Sequence, residues 1–524
     1  MTFAEPLSAD LPASRVKALA AIFLRRRGAV PALLYPPMVP VVYIVGRSFD
    51  YGVSPHAAFR SLLVAVVGAL LLLLALTALL RNVHRAAIAM LLLYLLGFSL
   101  AVPAVFAVLI PAAILVVMID RLPSRRIGWA RLSVWFSTLT SAMLVVVLAQ
   151  AALSGQLARA VAGLAQGGDL PAATSTGPID PTKPDVYVIV LDGYARRDTL
   201  QNSLHFDDGP FLDQLESRGF DVASDSQSNY PFTAQTFVTM LNMDYLDQIP
   251  EVAHLQASDP TVSSKYRQAL NENRAFQLFR EQGYQIVSTG SGWESLAIRQ
   301  SDVYLDGGQL NSFEATMLRD SGLGWLIQHL SPDWGGDQSR SRIDSDFEEL
   351  RQVAQTPSSQ PRLVVAHVLA PHPPLVYGPN GERLPVDLSD AFAFDWATAG
   401  LNRQNRTRYT GQIAYLDRQV LPVVDALISA ARRPAVIVLM SDHGARLDTA
   451  AGSTAMSPEA DHNFFATLTP GHPGLFGASP TPVNLFRRVL DTYLGSDLAI
   501  LPNHSFTSSW DKALTFTPLP SPSP

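Results

Sequence analysis

Long apolar runs in the first third of the chain constrain its fold more than any other feature. The clearest run is FRSLLVAVVGALLLLLALTALL, at residues 59–80. A helix needs about 20 apolar residues to cross a hydrocarbon core of roughly 30 Å. The apolar runs predict five transmembrane helices, near 29–46, 59–80, 85–100, 103–119 and 129–153. We therefore expect residues 1–153 to form an anchor in the lipid bilayer.

Basic residues alternate between the loops that join these predicted helices. Eleven Lys and Arg residues lie before the first span, between the second and third, and between the fourth and fifth. Only three lie in the other loops and just after the last span. Because cytoplasmic loops carry the excess of basic residues, the N-terminus is predicted to be cytoplasmic and the chain after about residue 155 to lie outside. A cleaved signal peptide at 1–45 is the alternative, but no convincing small-residue cleavage site follows a short apolar region.

The composition excludes several classes of protein. Charged residues make up 16% of the chain, against about 25% in soluble proteins, which agrees with a part that lies in lipid. The net charge of −6 argues against a nucleic-acid binder. The absence of cysteine excludes disulfides, thiolate metal sites and cysteine nucleophiles.

Two segments have the composition of unstructured chain. Residues 154–183 are rich in Gly, Ala, Thr and Pro and predict a flexible linker. Residues 515–524 (TFTPLPSPSP) are rich in Pro and Ser and predict a disordered tail.

Residues 184–514 show the pattern of a separate α/β domain. Three continuous apolar runs read as buried strands: DVYVIVL at 185–191, RLVVAHVL at 362–369 and PAVIVLM at 434–440. Amphipathic stretches typical of helices lie between them. This alternation predicts an α/β domain with a mostly parallel central sheet. In such sheets, ligands bind beyond the carboxyl ends of the strands.

Polar residues follow these strands at the expected binding edge. Asp192 follows the first strand, and Asp442 and His443 follow the third. Two carboxylates and an imidazole beside a hydroxyl suit Zn²⁺ or Mn²⁺ better than Mg²⁺. Such a metal would activate a Ser or Thr hydroxyl as a nucleophile. Each residue alone could instead be an ordinary turn residue that hydrogen-bonds the backbone.

The order of these motifs resembles the alkaline phosphatase/sulfatase superfamily. A strand followed by LDGY, a hydroxyl-bearing helix start, H-x4-H after a strand, and SDHG occur in that order. With the five N-terminal spans, the chain looks most like the branch that holds lipoteichoic-acid synthase and the lipid A phosphoethanolamine transferases. The resemblance covers residues 184–505 and implies an alkaline-phosphatase-like fold with Asp192, Asp442 and His443 as metal ligands. The transferases often have Glu at the first of these positions, where the Asp here is more like the phosphodiesterase and phosphatase branches.

The resemblance also implies roles for three histidines. His367 and His372 in HVLAPHPP match the spacing of two histidines that contribute to substrate binding or to a second metal in the phosphoethanolamine transferases. His462 in ADHNFF resembles a further His downstream of the DHG element, although its spacing is longer. A histidine on a surface loop is the alternative for His462.

The stretch SNYPFTAQTF, at 228–237, offers several candidate nucleophiles. The C/S-x-P-x-R frame that yields formylglycine is absent, because there is no Cys, the proline is one place late and no Arg follows. Tyr230 would align with the nucleophile of nucleotide phosphodiesterases. Thr233 opens an amphipathic run, and its nine-residue distance to Asn242 resembles a Thr-to-Asn spacing in lipoteichoic-acid synthase. A helix start also favours bound oxyanions, so we expect Thr233 to be the nucleophile and a metal ligand, with Thr236 as the next candidate and a simple N-cap as the alternative role.

Together these features predict a membrane-anchored, metal-dependent phosphoester hydrolase or phosphotransferase. Its substrate would be lipid-linked or part of the cell envelope, and its catalytic domain would lie outside a bacterial inner (plasma) membrane, in the periplasm or extracellular space. Sulfate-ester hydrolysis and a non-catalytic binding module are the alternatives.

Overall fold

The computed structural model describes most of the chain in two compact units, one formed by the N-terminal helices and one by the residues from 182 onward. The described residues are 29–50, 53, 55–99, 128–153, 182–259, 261–307, 310–319, 324, 327, 329–386, 403–446, 456–457, 459–509 and 511–520.

Four of the five predicted membrane spans are helices in the structure. They are Val30–Asp50, Pro55–Leu80, Val83–Ser99 and Trp129–Leu153. Three of them, over Val30–Phe49, Ala57–Leu80 and Trp129–Leu153, are long and apolar enough to cross a membrane, and Val83–Tyr94 is a shorter apolar segment. The first helix continues through Pro36, Pro37 and Pro40. The predicted span at 103–119 and the linker at 154–181 lie outside the described residues.

A mixed sheet forms the centre of the second unit. Its strands are β1 (Asp185–Leu191), β2 (Asp221–Val222), β3 (Gln285–Thr289), β4 (Val303–Leu305), β5 (Arg362–Val368), β6 (Ala435–Met440) and β7 (Phe465–Leu468). The strand order is β2-β7-β6-β1-β5-β3-β4. The five strands from β6 to β4 pair in parallel, whereas β7 runs antiparallel to β6 and β2 antiparallel to β7. The predicted α/β fold with a mostly parallel sheet is confirmed.

Successive residues of β1 pack on opposite faces of this sheet, because side chains alternate along a strand. Val186, Val188 and Val190 belong to one apolar cluster, whereas Tyr187 and Ile189 belong to the other. Helices cover both faces, which explains why the predicted strands are apolar throughout.

The helices of this unit occupy the intervals between the strands. They are Arg197–Leu204, Gly209–Ser217, Thr233–Asn242, Val262–Asn271, Arg274–Glu281, Ser312–Arg319, Trp334–Gln355, Arg403–Ser429 and Leu485–Leu494, with short 3-10 turns at Leu246–Gln248, Glu294–Leu296 and Pro482–Asn484.

The prediction of a disordered tail from residue 515 is wrong for its first residues. Strand β9 (Lys512–Pro518) pairs antiparallel with β8 (Phe506–Ser509). Phe516 packs edge-on against Tyr230 with the ring centroids 4.9 Å apart. The apolar alternation of Leu514 and Phe516 favours a strand that buries one face, and the Pro/Ser-rich composition obscures it. Residues 521–524 lie outside the described residues.

Candidate active site

The ends of β1 and β6 bring the predicted ligands together. The two strands are parallel neighbours with Val190 opposite Met440, so the residues that follow them leave the same edge of the sheet. Asp192, Asp442 and His443 are each fully buried. One ligand atom from each lies within 4.8 Å of the other two.

The imidazole of His443 directs an unprotonated nitrogen at both carboxylates. Its Nδ1 lies 2.8 Å from the carbonyl oxygen of Gly444, and since a carbonyl only accepts hydrogen bonds, Nδ1 carries the proton. Burial, followed by the positive charge of Arg446, lowers the pKa of His443 well below its ordinary value. The Nε2 lone pair then lies 3.6 Å from Asp192 Oδ1 and 3.2 Å from Asp442 Oδ2.

Each carboxylate has one oxygen held by the protein and one that lacks a hydrogen bond. Asp192 Oδ2 accepts from His367 Nε2 at 3.0 Å, and Asp442 Oδ1 accepts from the Gly193 amide at 2.9 Å. Among the described residues, Asp192 Oδ1 and Asp442 Oδ2 are buried without a hydrogen-bond donor. Burial of such oxygens opposite a nitrogen lone pair costs free energy unless a cation lies among them. The donor set of two oxygens and one nitrogen fits a divalent metal of the Zn²⁺ or Mn²⁺ type.

The backbone around the cluster is fixed by specific contacts. Gly193 has φ +71°, which glycine adopts without strain and which places its amide against Asp442. The hydroxyl of Tyr409 donates to the Gly193 carbonyl at 2.7 Å and accepts from the Ala195 amide at 3.0 Å. A Cβ at Gly444 would overlap carbonyl oxygens of the segment 459–462. These contacts explain the glycines of LDGY and SDHG.

Thr233 lies at this cluster, as the first residue of a helix. The helix Thr233–Asn242 has Phe232, not Thr233, at its N-cap position. The side chain of Thr233 is therefore available for another role, and its Oγ1 lies 3.3 Å from His443 Nε2. The free N–H groups and positive dipole end of a helix start favour a bound oxyanion beside this hydroxyl.

The competing hydroxyls are engaged elsewhere. Tyr230 Oη accepts from the Leu246 amide at 3.1 Å, and the Tyr230 ring stacks on Phe506 with centroids 5.2 Å apart. Thr236 Oγ1 donates to the Tyr230 carbonyl at 3.2 Å. Asn242 ends the helix, and its amide donates to the carbonyls of Val238 and Ala269. Their contacts are those of side chains that shape the Thr233 segment.

His367, in β5, and His372, just after that strand, lie next to the cluster in different ways. His367 donates to Asp192, as described above, and its ring lies against Phe237. His372 is buried, with Nδ1 2.7 Å from the Pro373 carbonyl and its ring 6.1 Å from that of Trp293. Burial is the main cause that lowers the pKa of His372. His372 is held next to Asp192 through its own backbone amide, which donates to the Asp192 carbonyl at 3.0 Å, while the His367 side chain holds the Asp192 carboxylate.

His462 has different surroundings. Its Nδ1 lies 3.3 Å from Thr199 Oγ1 and 3.6 Å from Asp198 Oδ2, and its side chain is 26% exposed. It is not part of the group formed by Asp192, Asp442 and His443. Its role in substrate or metal binding stays a prediction.

The sequence motifs did not indicate two residues that lie at the site. Tyr409 clamps the LDGY turn from a distant helix, and no local pattern signals that contact. Arg446 is 4% exposed and donates through Nη2 to the Pro231 carbonyl. Its position three residues after His443, as the first charged residue beyond SDHG, is the signal that could have revealed it.

The chain is similar to several known proteins. The family model described as "Sulfatase" matches residues 184–471. The C-terminal periplasmic domain of EcEptC from Escherichia coli is similar at 14% identity, over 66% of this chain and 96% of that chain, with a TM-score of 0.41. The corresponding domain of the phosphoethanolamine transferase EptC from Campylobacter jejuni is similar at 15% identity, over 60% and 90% of the two chains, with a TM-score of 0.34.

A phosphonate monoester hydrolase of Agrobacterium radiobacter is similar at 16% identity, over 59% of this chain and 74% of that chain, with a TM-score of 0.36. No curated protein sequence matches the chain significantly. The family model covers more than half of the 524 residues. The chain therefore belongs to the sulfatase family, within the alkaline phosphatase/sulfatase superfamily of metal-dependent enzymes.

Proposed function

We propose that the protein is a membrane-anchored phosphoester hydrolase or phosphotransferase that uses Thr233 as its nucleophile. The observation that carries this proposal is the position of Thr233 Oγ1, 3.3 Å from His443 Nε2. This hydroxyl lies at a helix start beside two buried carboxylate oxygens that lack donors among the described residues.

Asp192, Asp442, His443 and Thr233 are the residues that would hold a divalent metal, with Zn²⁺ or Mn²⁺ favoured by the nitrogen ligand. When bound, such an ion lowers the pKa of a neighbouring hydroxyl and neutralises charge on a phosphoryl oxygen. His367 fixes the Asp192 carboxylate through Oδ2, and the Gly193 amide fixes Asp442 through Oδ1. The protein thus sets both carboxylates before substrate binds, so that little reorganisation is needed during the reaction.

The reaction then has two balanced displacements at phosphorus. Thr233 Oγ1 loses its proton to solvent and forms a bond to phosphorus, while the bond from phosphorus to the leaving oxygen breaks. The leaving group departs with that electron pair and takes a proton from solvent. Water or an acceptor hydroxyl next loses a proton to solvent and forms a bond to phosphorus, while the bond from phosphorus to Thr233 Oγ1 breaks and that oxygen takes a proton from solvent.

The membrane helices suggest where the substrate lies. Three helices have the length and composition to cross a bilayer, and the distribution of basic residues supports a catalytic unit outside a bacterial plasma membrane. An enzyme held at that surface meets lipid-linked and envelope phosphoesters at high local concentration. We include these as the substrate class of the proposal.

Reporter substrates on the full-length protein in detergent test the nucleophile. Thr233→Ala should lower turnover of bis-p-nitrophenyl phosphate by about 10³-fold or more, as expected for loss of a nucleophile, whereas Thr236→Ala should retain most of it. Mass spectrometry of acid-quenched wild type should find phosphate on the peptide that contains Thr233. Wild-type turnover in Thr233→Ala would overturn the assignment.

The same assay separates the chemical alternatives. p-Nitrophenyl sulfate reports sulfate-ester hydrolysis, and p-nitrophenyl phosphate reports monoester hydrolysis. Added glycerol distinguishes transfer from hydrolysis, because a transferase would form a glycerol phosphoester. Sulfate-ester turnover above phosphoester turnover would replace the proposed activity by the second candidate.

A further inference from the structure

Arg446 is a buried cation on the loop that follows SDHG, and its side chain meets the segment that carries the proposed nucleophile. It is 4% exposed. Its Nη2 donates to the Pro231 carbonyl, and its Cζ lies 5.1 Å above the ring of Phe232. Both residues directly precede Thr233.

The segments 231–233 and 443–446 therefore lie side by side. Thr233 contacts His443 at one end of these segments, and Pro231 contacts Arg446 at the other. After burial, the positive charge of Arg446 is the largest influence that lowers the pKa of His443, and it also lowers the pKa of His372. The guanidinium itself lies beside the two residues that directly precede Thr233.

The charges of the site favour a further cation where an anionic ester binds, in addition to the helix start at Thr233. A divalent ion at Asp192 and Asp442 would be balanced by the two carboxylates, which leaves no net positive charge for a substrate. Arg446 adds one positive charge in a buried place, where charges act more strongly than in water. Its planar fork of N–H donors suits the oxygens of a tetrahedral oxyanion and can contact them while one N–H stays on Pro231.

We propose that Arg446 is a substrate-binding residue that contacts the non-bridging oxygens of an anionic phosphoryl or sulfuryl ester over Thr233. The inference rests on the proposed function, because it takes the reacting group to lie at Thr233. It assigns substrate charge recognition to a residue three positions beyond the metal ligand His443. A residue that only clamped Pro231 would affect folding without affecting anion binding.

Calorimetric binding of inorganic phosphate to the full-length zinc-loaded protein separates these roles. Arg446→Gln should weaken phosphate binding by about 10- to 100-fold, because a charge-assisted hydrogen bond is lost. Arg446→Lys keeps the charge without the fork and should weaken binding less. Arg487→Gln is the matched control, since Arg487 is also buried and donates to backbone carbonyls, those of Met243 and Ala499. It should bind phosphate like wild type.

Metal content and thermal stability of each variant exclude an indirect effect. If Arg446→Gln does not fold, Arg446→Lys decides, and a phosphate affinity equal to wild type in that variant would overturn the proposal. Phosphate binding unchanged in a folded Arg446→Gln protein with full metal content would also overturn it.

The two proposals fail in distinguishable ways. Turnover that survives Thr233→Ala, together with phosphate binding lost in Arg446→Gln, would remove the nucleophile and keep the anion site. Turnover lost in Thr233→Ala, with phosphate binding unchanged in Arg446→Gln, would remove the anion site alone.

Discussion

Two groups of buried carboxylates lie around the same LDGY turn. They differ in how the negative charge of the buried carboxylates is compensated. Asp192 and Asp442 each present an oxygen without a donor among the described residues, and both oxygens face the Nε2 lone pair of His443. On the other side, Asp417 Oδ1 accepts a hydrogen bond from Tyr194 Oη at 2.8 Å. Burial raises the pKa of Asp417 to about 8.

Asp208, a neighbour of Asp417, behaves in the same way, since burial raises its pKa to about 6. A proton therefore removes the charge of Asp417 over much of the physiological pH range. Among the residues that the structure describes, no hydrogen-bond donor contacts the two oxygens that face His443, and a bound cation would neutralise them. Burial of a carboxylate alone thus does not mark a candidate metal site, whereas the convergence of two carboxylates and an imidazole nitrogen does.

The largest difference between the two groups should appear when each loses one carboxylate. Asp442→Asn should lose bound metal and lower turnover by about 10³-fold or more, because the carboxylate that faces His443 becomes a neutral amide. Asp417→Asn should retain metal and turnover. Elemental analysis and reporter turnover of the full-length proteins check this pair. One tightly bound ion per chain in Asp442→Asn would contradict the assigned site.

A smaller effect should come from the residue that holds Asp192. His367→Ala removes the donor to Asp192 Oδ2 and should weaken metal binding by about 10- to 100-fold, the usual range for groups that orient a ligand. His367→Gln can still donate from an amide and should recover part of this loss. Competition with a chelating dye measures both affinities. Equal affinities for wild type and His367→Ala would show that Asp192 needs no orienting partner.

The smallest expected effect concerns stability and pH at Asp417. The pKa of Asp417 in the folded protein, about 8, lies above the ordinary value of 3.8. The contribution of this carboxyl to the free energy of unfolding is therefore fully present below pH 4 and is lost as the pH rises through 8. Asp417→Asn removes this loss while the amide oxygen still accepts from Tyr194. The variant should gain on the order of 2 kcal/mol relative to wild type between about pH 5 and about pH 6.5.

Denaturant unfolding of the metal-free full-length proteins at both pH values measures this gain. Use of metal-free protein keeps the pH dependence of metal binding out of the difference. A difference between variants that stays constant with pH would mean that Asp417 is already ionised at pH 5.

The sequence predicted those parts of the site that depend on residues close together in the chain. β1, β5 and β6 have apolar runs that give their bounds to within two residues, and Asp192 and Asp442 follow directly from where those strands end. The start of the helix at Thr233 likewise follows from its amphipathic pattern. These features depend on neighbours in sequence, which a pattern can describe.

The other features depend on long-range contacts. The antiparallel edge formed by β7 and β2 has short strands, with only two residues in β2. The direction of the His462 side chain is set by its contact with the helix at 197–204. Arg446 reaches Pro231 across 215 positions of sequence. Such partners become apparent only when the chain is folded.

The hairpin of β8 and β9 has a consequence for the order in which the enzyme is made. Gln235, two residues after Thr233, donates to the Ala513 carbonyl across 278 positions of sequence. During synthesis, Asp192, Asp442 and His443 therefore leave the ribosome before the segment that contacts the Thr233 helix. A nascent chain stopped before residue 506 would contain these three residues but would lack that contact. The contact that fixes Gln235 beside Thr233 is thus added only after the rest of the α/β unit has been made.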